Sequence, residues 1–176
     1  MKPYLINMIN ILEKFLAELP EHLSSSNGWS TLNMNNHEPV IERVYKIVGD
    51  KGQYRLCLNK IYKSDAELLF HNHSWPFAVK MFCGEYEMGV GISKDGKKPE
   101  VNAVMMVSPG VSYDMSNMDM WHYTKPISDY TYSVMVIDDS GRWRPQTCNF
   151  DGLSEEKEEE ILAFFRNYFK DEIASL

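Results

Sequence analysis

The stretch HNHSWPFAVKMFCGEYEMGVG, residues 71–91, joins a histidine pair to two apolar runs through one glycine turn. Successive side chains of an extended chain alternate faces, so His71 and His73 point to the same side, with imidazoles close enough to share an ion. Neutral imidazole is a good ligand for iron, nickel, copper or zinc. The apolar residues ELLF (67–70) read as the strand that the pair ends, and FAVKMFC (77–83) as the strand leading into Gly84. A third histidine, His122, lies in VSPGVSYDMSNMDMWHYTKP (107–126), where Pro109-Gly110 turns, a short strand follows, SNMD turns again and Trp121-His122 opens the next strand. Two ligands from one hairpin and one from a distant strand are what a barrel needs to assemble a three-nitrogen face. Taken alone, His122 reads equally as a wall histidine bonded to a backbone carbonyl. His22 and His37 lie outside the strand region and have no such pattern.

Around this stretch the chain is rich in short strands. IERVYKIVG, QYRLCLNKIY, EVNAVMMVS, VSYDMS and YTYSVMVID are β-branched, aromatic and apolar runs, separated by turn formers such as GDKG, KSD, SKDGKK, SPG and KPISD. Even spacing of this kind predicts an antiparallel sandwich or barrel, with no βαβ rhythm and no solenoid repeat. Helices flank it. Leu5, Met8, Ile9, Leu12, Phe15, Leu16 and Leu19 recur at helical spacing and Pro20 marks an end, before the flexible break Ser24–Gly28. At the other end Ser154 caps, Glu155 and Glu156 complement the helix dipole, and Ile161, Leu162, Phe165, Tyr168 and Phe169 form an apolar stripe. The run EEKEEE reads as a solvated face. The expected layout is a single domain over 1–176: a helical segment at 1–35, a β-barrel at 36–150 and a C-terminal helix at 151–176.

Composition narrows the partners. A net charge of −7 and 24% charged residues leave no basic face to displace counterions from nucleic acid. Cys57, Cys83 and Cys148 are scattered, as free thiols of a reducing compartment are. Asn7, Asn10, Glu13 and Lys14 interrupt the N-terminal apolar residues, against a signal peptide, and no run reaches membrane-spanning length. The expectation is a cytoplasmic protein with a small-molecule partner, no nucleic acid and no membrane; a homodimer is compatible, the terminal helices offering a surface.

These residues resemble the cupin superfamily, whose first motif is HxH, then Glu four or five residues later, then Gly six further on. Its second motif is a PxG-like turn followed by His. His71-x-His73 and Gly84 fall into register with the first, and Pro109-Gly110 and His122 with the second at a longer spacing. The resemblance covers roughly residues 40–140 and implies a mainly β fold, the cupin-type double-stranded β-helix or jelly-roll barrel. By the Gly84 register Ala78 stands where the family carries its metal-binding Glu, so the implied site is His71, His73 and His122 on a divalent metal with open positions. Such a site is similar to that of cysteine dioxygenase and related thiol dioxygenases, which implies Fe(II), with Ni, Zn or Mn as alternatives. Those enzymes carry Ser-x-His-x-Tyr after the third histidine, whereas TYSVMVIDDSG (131–141) has no histidine. WPFAVKxxxGxYEMGxG (75–91) is also similar to a subgroup of bacterial cupin-like proteins, to which the resemblance attaches no activity.

Further candidates follow from orientation. With unbroken alternation, Ala78, Lys80 and Phe82 share the interior face, where Lys80 would need a ligand anion; a bulge would turn it to solvent. Glu85 and Glu87 are alternative carboxylate ligands, disfavoured by strand geometry. Arg43 and Arg55 lie on early strands, and a guanidinium in the lumen would clamp a carboxylate bidentately; the resemblance favours Arg43, with a surface position as the alternative. Trp75, Tyr86, Trp121 and Tyr123 flank the ligands and could shape a pocket, or simply pack. Three functions remain open: a non-haem iron dioxygenase acting on a small chelating substrate, a metal-dependent isomerase or lyase with Tyr123 or Lys80 as base, and a non-catalytic ligand-binding cupin.

Overall fold

Residues 7–25, 27–66, 68–139 and 151–176 are described by the structure, a computed structural model. Leu5 and Cys148 lie outside the described residues. The chain runs through α1 (Met8–Ser24), β1 (Ser30–Met34), β2 (Ile41–Val48), β3 (Tyr54–Tyr62), β4 (His71–Asn72) and β5 (Phe77–Cys83). It continues with β6 (Tyr86–Ile92), β7 (Ala103–Val107), β8 (Ser112–Met115), β9 (Met120–Pro126), β10 (Tyr130–Asp138), α2 (Glu155–Tyr168) and α3 (Lys170–Ala174).

The strands form two antiparallel sheets, ordered β1-β2-β3-β10-β5-β8 and β4-β9-β6-β7. From β3 onward, consecutive strands cross from one sheet to the other, except at the β6–β7 hairpin. The interleaved order β3-β10-β5-β8 against β4-β9-β6-β7 is that of an eight-stranded jelly roll, the cupin-type double-stranded β-helix. β1 and β2 extend one sheet, so sheet structure begins at Ser30, within the segment expected to be helical.

Strand alternation divides the large sheet between two cores. On β3, Leu56 and Leu58 point away from the lumen and pack with Val44, Val134 and Val136 against Leu12, Phe15 and Leu19 of α1 and Ile161, Leu162 and Phe165 of α2. Cys57, Met135, Ile137, Phe77 and Val79 line the lumen side with Met115. The apolar stripes of both terminal helices are therefore largely spent on the chain's own sheet, with Tyr168 left exposed. α1 runs on through Pro20 to Ser24 rather than ending there. Burial of Leu23 at the far end, about 1.5–3 kcal/mol for a leucine, offsets the backbone hydrogen bond that proline cannot donate. Ser154 caps α2 as expected, its hydroxyl accepting from the Lys157 amide.

Two local departures set the register around the site. Of the segment ELLF, Glu67 lies outside the described residues and residues 68–70 are not a strand; β4 is only His71–Asn72, and Leu69 instead offers its carbonyl to the His71 ring. On β5 a bulge lets Phe82 into the ladder, since Ser133 faces Met81 while the adjacent Tyr132 faces Cys83. Gly84 then turns the chain at φ +72°, and a Cβ there would come within 2.4 Å of the Tyr130 carbonyl oxygen, so only glycine fits. Among the described residues, no helix is long and apolar enough to cross a membrane.

Candidate metal centre

His71 and His122 face each other directly across β4 and β9. His73, two residues on, lies on the same side as His71. The His73 Nε2 is 3.1 Å from the His71 Nε2 and 2.9 Å from the His122 Nε2. Two metal–imidazole bonds of about 2.1 Å set at about 90° place their nitrogens about 3.0 Å apart, so His73 stands at a suitable spacing from each of the other two donors, and all three ligand atoms lie within 4.8 Å of one another. The donor set is chemically ready. With its proton on Nδ1, the His71 ring donates to the Leu69 carbonyl at 2.9 Å and turns its Nε2 lone pair inward. Burial lowers the pKa of all three rings. His122 is pushed down to about 3 by burial and by His71. His73 lies well below the ordinary value through burial, His122, His71 and Arg43. His71 is lowered by burial and by His37, against the Leu69 hydrogen bond. Three neutral imidazoles can thus hold a divalent metal.

Among the described residues no carboxylate joins them. Phe77, not Ala78, stands where a fourth ligand would: its ring centroid is 4.8 Å from that of His73 and 5.8 Å from that of His122. Ala78 is turned to the helix-covered core. Counting back from Gly84 crosses the bulge at Phe82, and one extra residue moves the family's Glu position onto the opposite face. Glu85 accepts from the Ser108 hydroxyl and Glu87 from the Tyr123 hydroxyl, away from the site.

The histidines open onto a cavity of about 720 Å³ between the sheets, whose mouth includes His37, Glu38 and Pro39 of the β1–β2 loop. Trp75 stands beside the metal face, its ring 5.4 Å from His73. Tyr86 is buried in the wall, its hydroxyl 2.6 Å from that of Tyr113. Burial drives both phenols up, Tyr113 to about 12, so the pair stays protonated at neutral pH. Arg43 also faces the cavity. Its Nε donates to the Asn59 Oδ1 at 2.7 Å, and Asn59 donates in turn to the Ser133 hydroxyl at 3.3 Å. Register explains this rung, because Arg43, Asn59 and Ser133 are direct partners on β2, β3 and β10. Among the described residues no carboxylate neutralises Arg43, whose pKa is lowered by burial and by Arg55. Arg55 differs, since its Nη2 donates to Asp139 at 2.7 Å.

Lys80 and Tyr123 are not cavity residues. Ala78, Lys80 and Phe82 do share a face, but Ala78 and Phe82 pack in the core beneath the helices, while Phe77 and Val79 line the cavity. Tyr123 follows the inward His122 and therefore points out of the barrel, its ring over Gly89 and its hydroxyl on Glu87 at 2.7 Å. Sequence reasoning missed His37, Asn59, Phe77 and Tyr113. Asn59 could have been found as the residue opposite Arg43 once strands were paired; His37 carries no spacing signal.

Fold and donor set together define a cupin-type jelly roll with a three-histidine candidate metal centre. No protein-family model and no curated protein matches the sequence. Among solved structures, the chain is similar to hydroxypropylphosphonic acid epoxidase from S. wedmorenis, at 12% identity and a TM-score of 0.48, over 64% of this chain and 56% of that one. It is similar to the Clostridium difficile EutQ protein at 11% identity and a TM-score of 0.43, over 65% and 79% of the two chains. A DMSP lyase structure aligns at 11% identity and a TM-score of 0.42, over 58% and 49%. The chain thus spans little more than half the length of the epoxidase. Likeness at this level carries none of these proteins' activities across, and the fold rests on the strand order.

Proposed function

We propose that this chain is a metal-dependent enzyme of the non-haem iron dioxygenase type, acting on a small anionic, chelating substrate inside the barrel. The observation that carries the reading is the convergence of three neutral imidazole nitrogens on a cavity whose wall holds Arg43, which no carboxylate among the described residues neutralises. His71, His73 and His122 would hold the ion, and a ferrous ion there would supply redox chemistry toward oxygen and a chelating substrate. The chain's own residues do the rest. Leu69 fixes the His71 tautomer, and Asn59 holds the Arg43 guanidinium for an anionic group of the substrate. Tyr86 and Tyr113, kept protonated, offer hydroxyl donors rather than a base. Phe77 and Trp75 keep water from one side of the metal face.

An isomerase or lyase would need a base beside the substrate. The candidate bases of the described wall other than the three histidines are His37 and Glu38, both at the mouth and the latter accepting from the Val40 amide, and Asp139, tied to Arg55; none of them stands among the three converging nitrogens, which supports the redox reading over this one. The test is metal content of freshly purified protein, then oxygen uptake with a panel of thiols, diketones and aromatic diols, each with and without a carboxylate. One iron per chain and uptake dependent on an anionic panel member are expected. Zinc or nickel without oxygen uptake would favour Lewis-acid chemistry, and protein that takes up no divalent metal would leave only the ligand-binding reading.

A further inference from the structure

β7 ends the four-stranded sheet, and among the described residues no strand pairs with its outer edge. Val104, Met105 and Met106 are 56%, 41% and 52% exposed. Met105 is the informative one: it is paired with the buried Met88 yet is 41% exposed, because no strand among the described residues covers the edge. Of the twelve large apolar side chains exposed among the described residues, five fall between Val101 and Val111. Edge strands are ordinarily guarded by a lysine, a proline, a bulge or a covering segment. β7 has no lysine, proline or bulge, no described strand covers it, and its register with β6 is regular from Val90/Ala103 to Tyr86/Val107. From Val101 to Tyr113 there is no charged residue at all, in a chain of which 24% is charged.

We propose that β7 pairs antiparallel with β7 of a second copy about a twofold axis near Met105, joining two four-stranded sheets into one of eight strands. The charge pattern selects this occupant. A twofold axis sets each residue against its own kind, so a charge near the axis meets itself. Two chains of net charge −7 repel each other, and an uncharged edge such as residues 101–113 is where that repulsion is weakest. In this register Met105 meets Met105, Val104 meets Met106 and Ala103 meets Val107, with Val101 and Val111 extending the apolar contact at both ends. β4, which carries His71, lies at the opposite edge of the sheet, so the pairing leaves each metal centre in place. The inference is independent of the chemistry proposed for that centre.

Sedimentation velocity of the full chain over a concentration series is the test. The wild type is expected at twice the 20.5 kDa monomer mass. Met105→Lys should sediment as a monomer with an unchanged circular dichroism spectrum, and mixing it with Met105→Glu should restore the double mass. A monomeric wild type, a dimeric Met105→Lys, or a mixture that stays monomeric would each overturn the pairing. If Met105→Lys fails to fold, Met105→Cys decides. Cα atoms paired across a twofold lie about 4.5–5.5 Å apart, within disulfide reach, so the oxidised variant should run as a covalent dimer where wild type does not. Its absence would refute the register.

Discussion

Replacing His73 by alanine removes the nitrogen that stands within 3.1 Å of both other donors, leaving His71 and His122 as a two-ligand remnant. Four-ligand structural zinc sites bind with about 10–16 kcal/mol, so each ligand carries about 2.5–4 kcal/mol. Losing one should weaken metal binding at least about a hundredfold. Wild-type protein at a free metal concentration about a hundred times its Kd is stabilised by about 2.7 kcal/mol. For a domain of this size that raises Tm by about 5–10 °C. The variant at the same concentration is at most about half occupied, which leaves about 0.4 kcal/mol and a rise of about 1 °C. The assay is thermal unfolding with and without Fe(II), Ni, Zn or Mn, each protein compared with its own metal-free form, which separates the ligand effect from any change in packing. A His73→Ala variant with the full wild-type shift would refute the assigned donors, as would a wild type that none of the four metals stabilises.

Arg43→Met should weaken binding of an anionic ligand by about 2–3 kcal/mol, read by calorimetry, while leaving stability equal or raised by about 1 kcal/mol, because an unpaired enclosed charge is removed. Lys157→Met should cost about 2–3 kcal/mol in denaturant unfolding, since it strips the ammonium from Glu42, 1% exposed and otherwise held by the Tyr62 hydroxyl. Lys14→Met, at an exposed pair with Glu18, should change stability by less than about 0.5 kcal/mol. Gly84→Ala should cost about 2–4 kcal/mol by the same measurement, from a left-handed backbone and the clash with the Tyr130 carbonyl.

The barrel was legible because its strands announce themselves by period two and by the turns between them, and the order of the two sheets bears that reading out. The candidate ligands were legible as types and spacing, since an HxH pair keeps its two rings on one face without any knowledge of the partner strand, and the three imidazoles do come together. What failed was parity. The assignment of Ala78 and Lys80 to the lumen assumed unbroken alternation back from Gly84, and the Phe82 bulge, formed against β10, leaves no mark in the local sequence. Tyr123 failed for the opposite reason: alternation was intact, so a neighbour of an inward histidine had to face out. Arg43 was placed on an early strand, but its freedom from a carboxylate depends on which residues lie across from it, and that is a property of pairing.

The phenylalanine at position 77 also has an electrostatic consequence. A carboxylate in that place would cancel half the charge of a divalent ion; an aromatic ring cancels none. Any such ion held by the three imidazoles keeps both its positive charges in an enclosed space, and Arg43 adds a third nearby. With such an ion in place the chain, of net charge −7, would enclose a cationic well, and common buffer anions such as phosphate or citrate would compete for the cavity rather than stand by as inert bystanders.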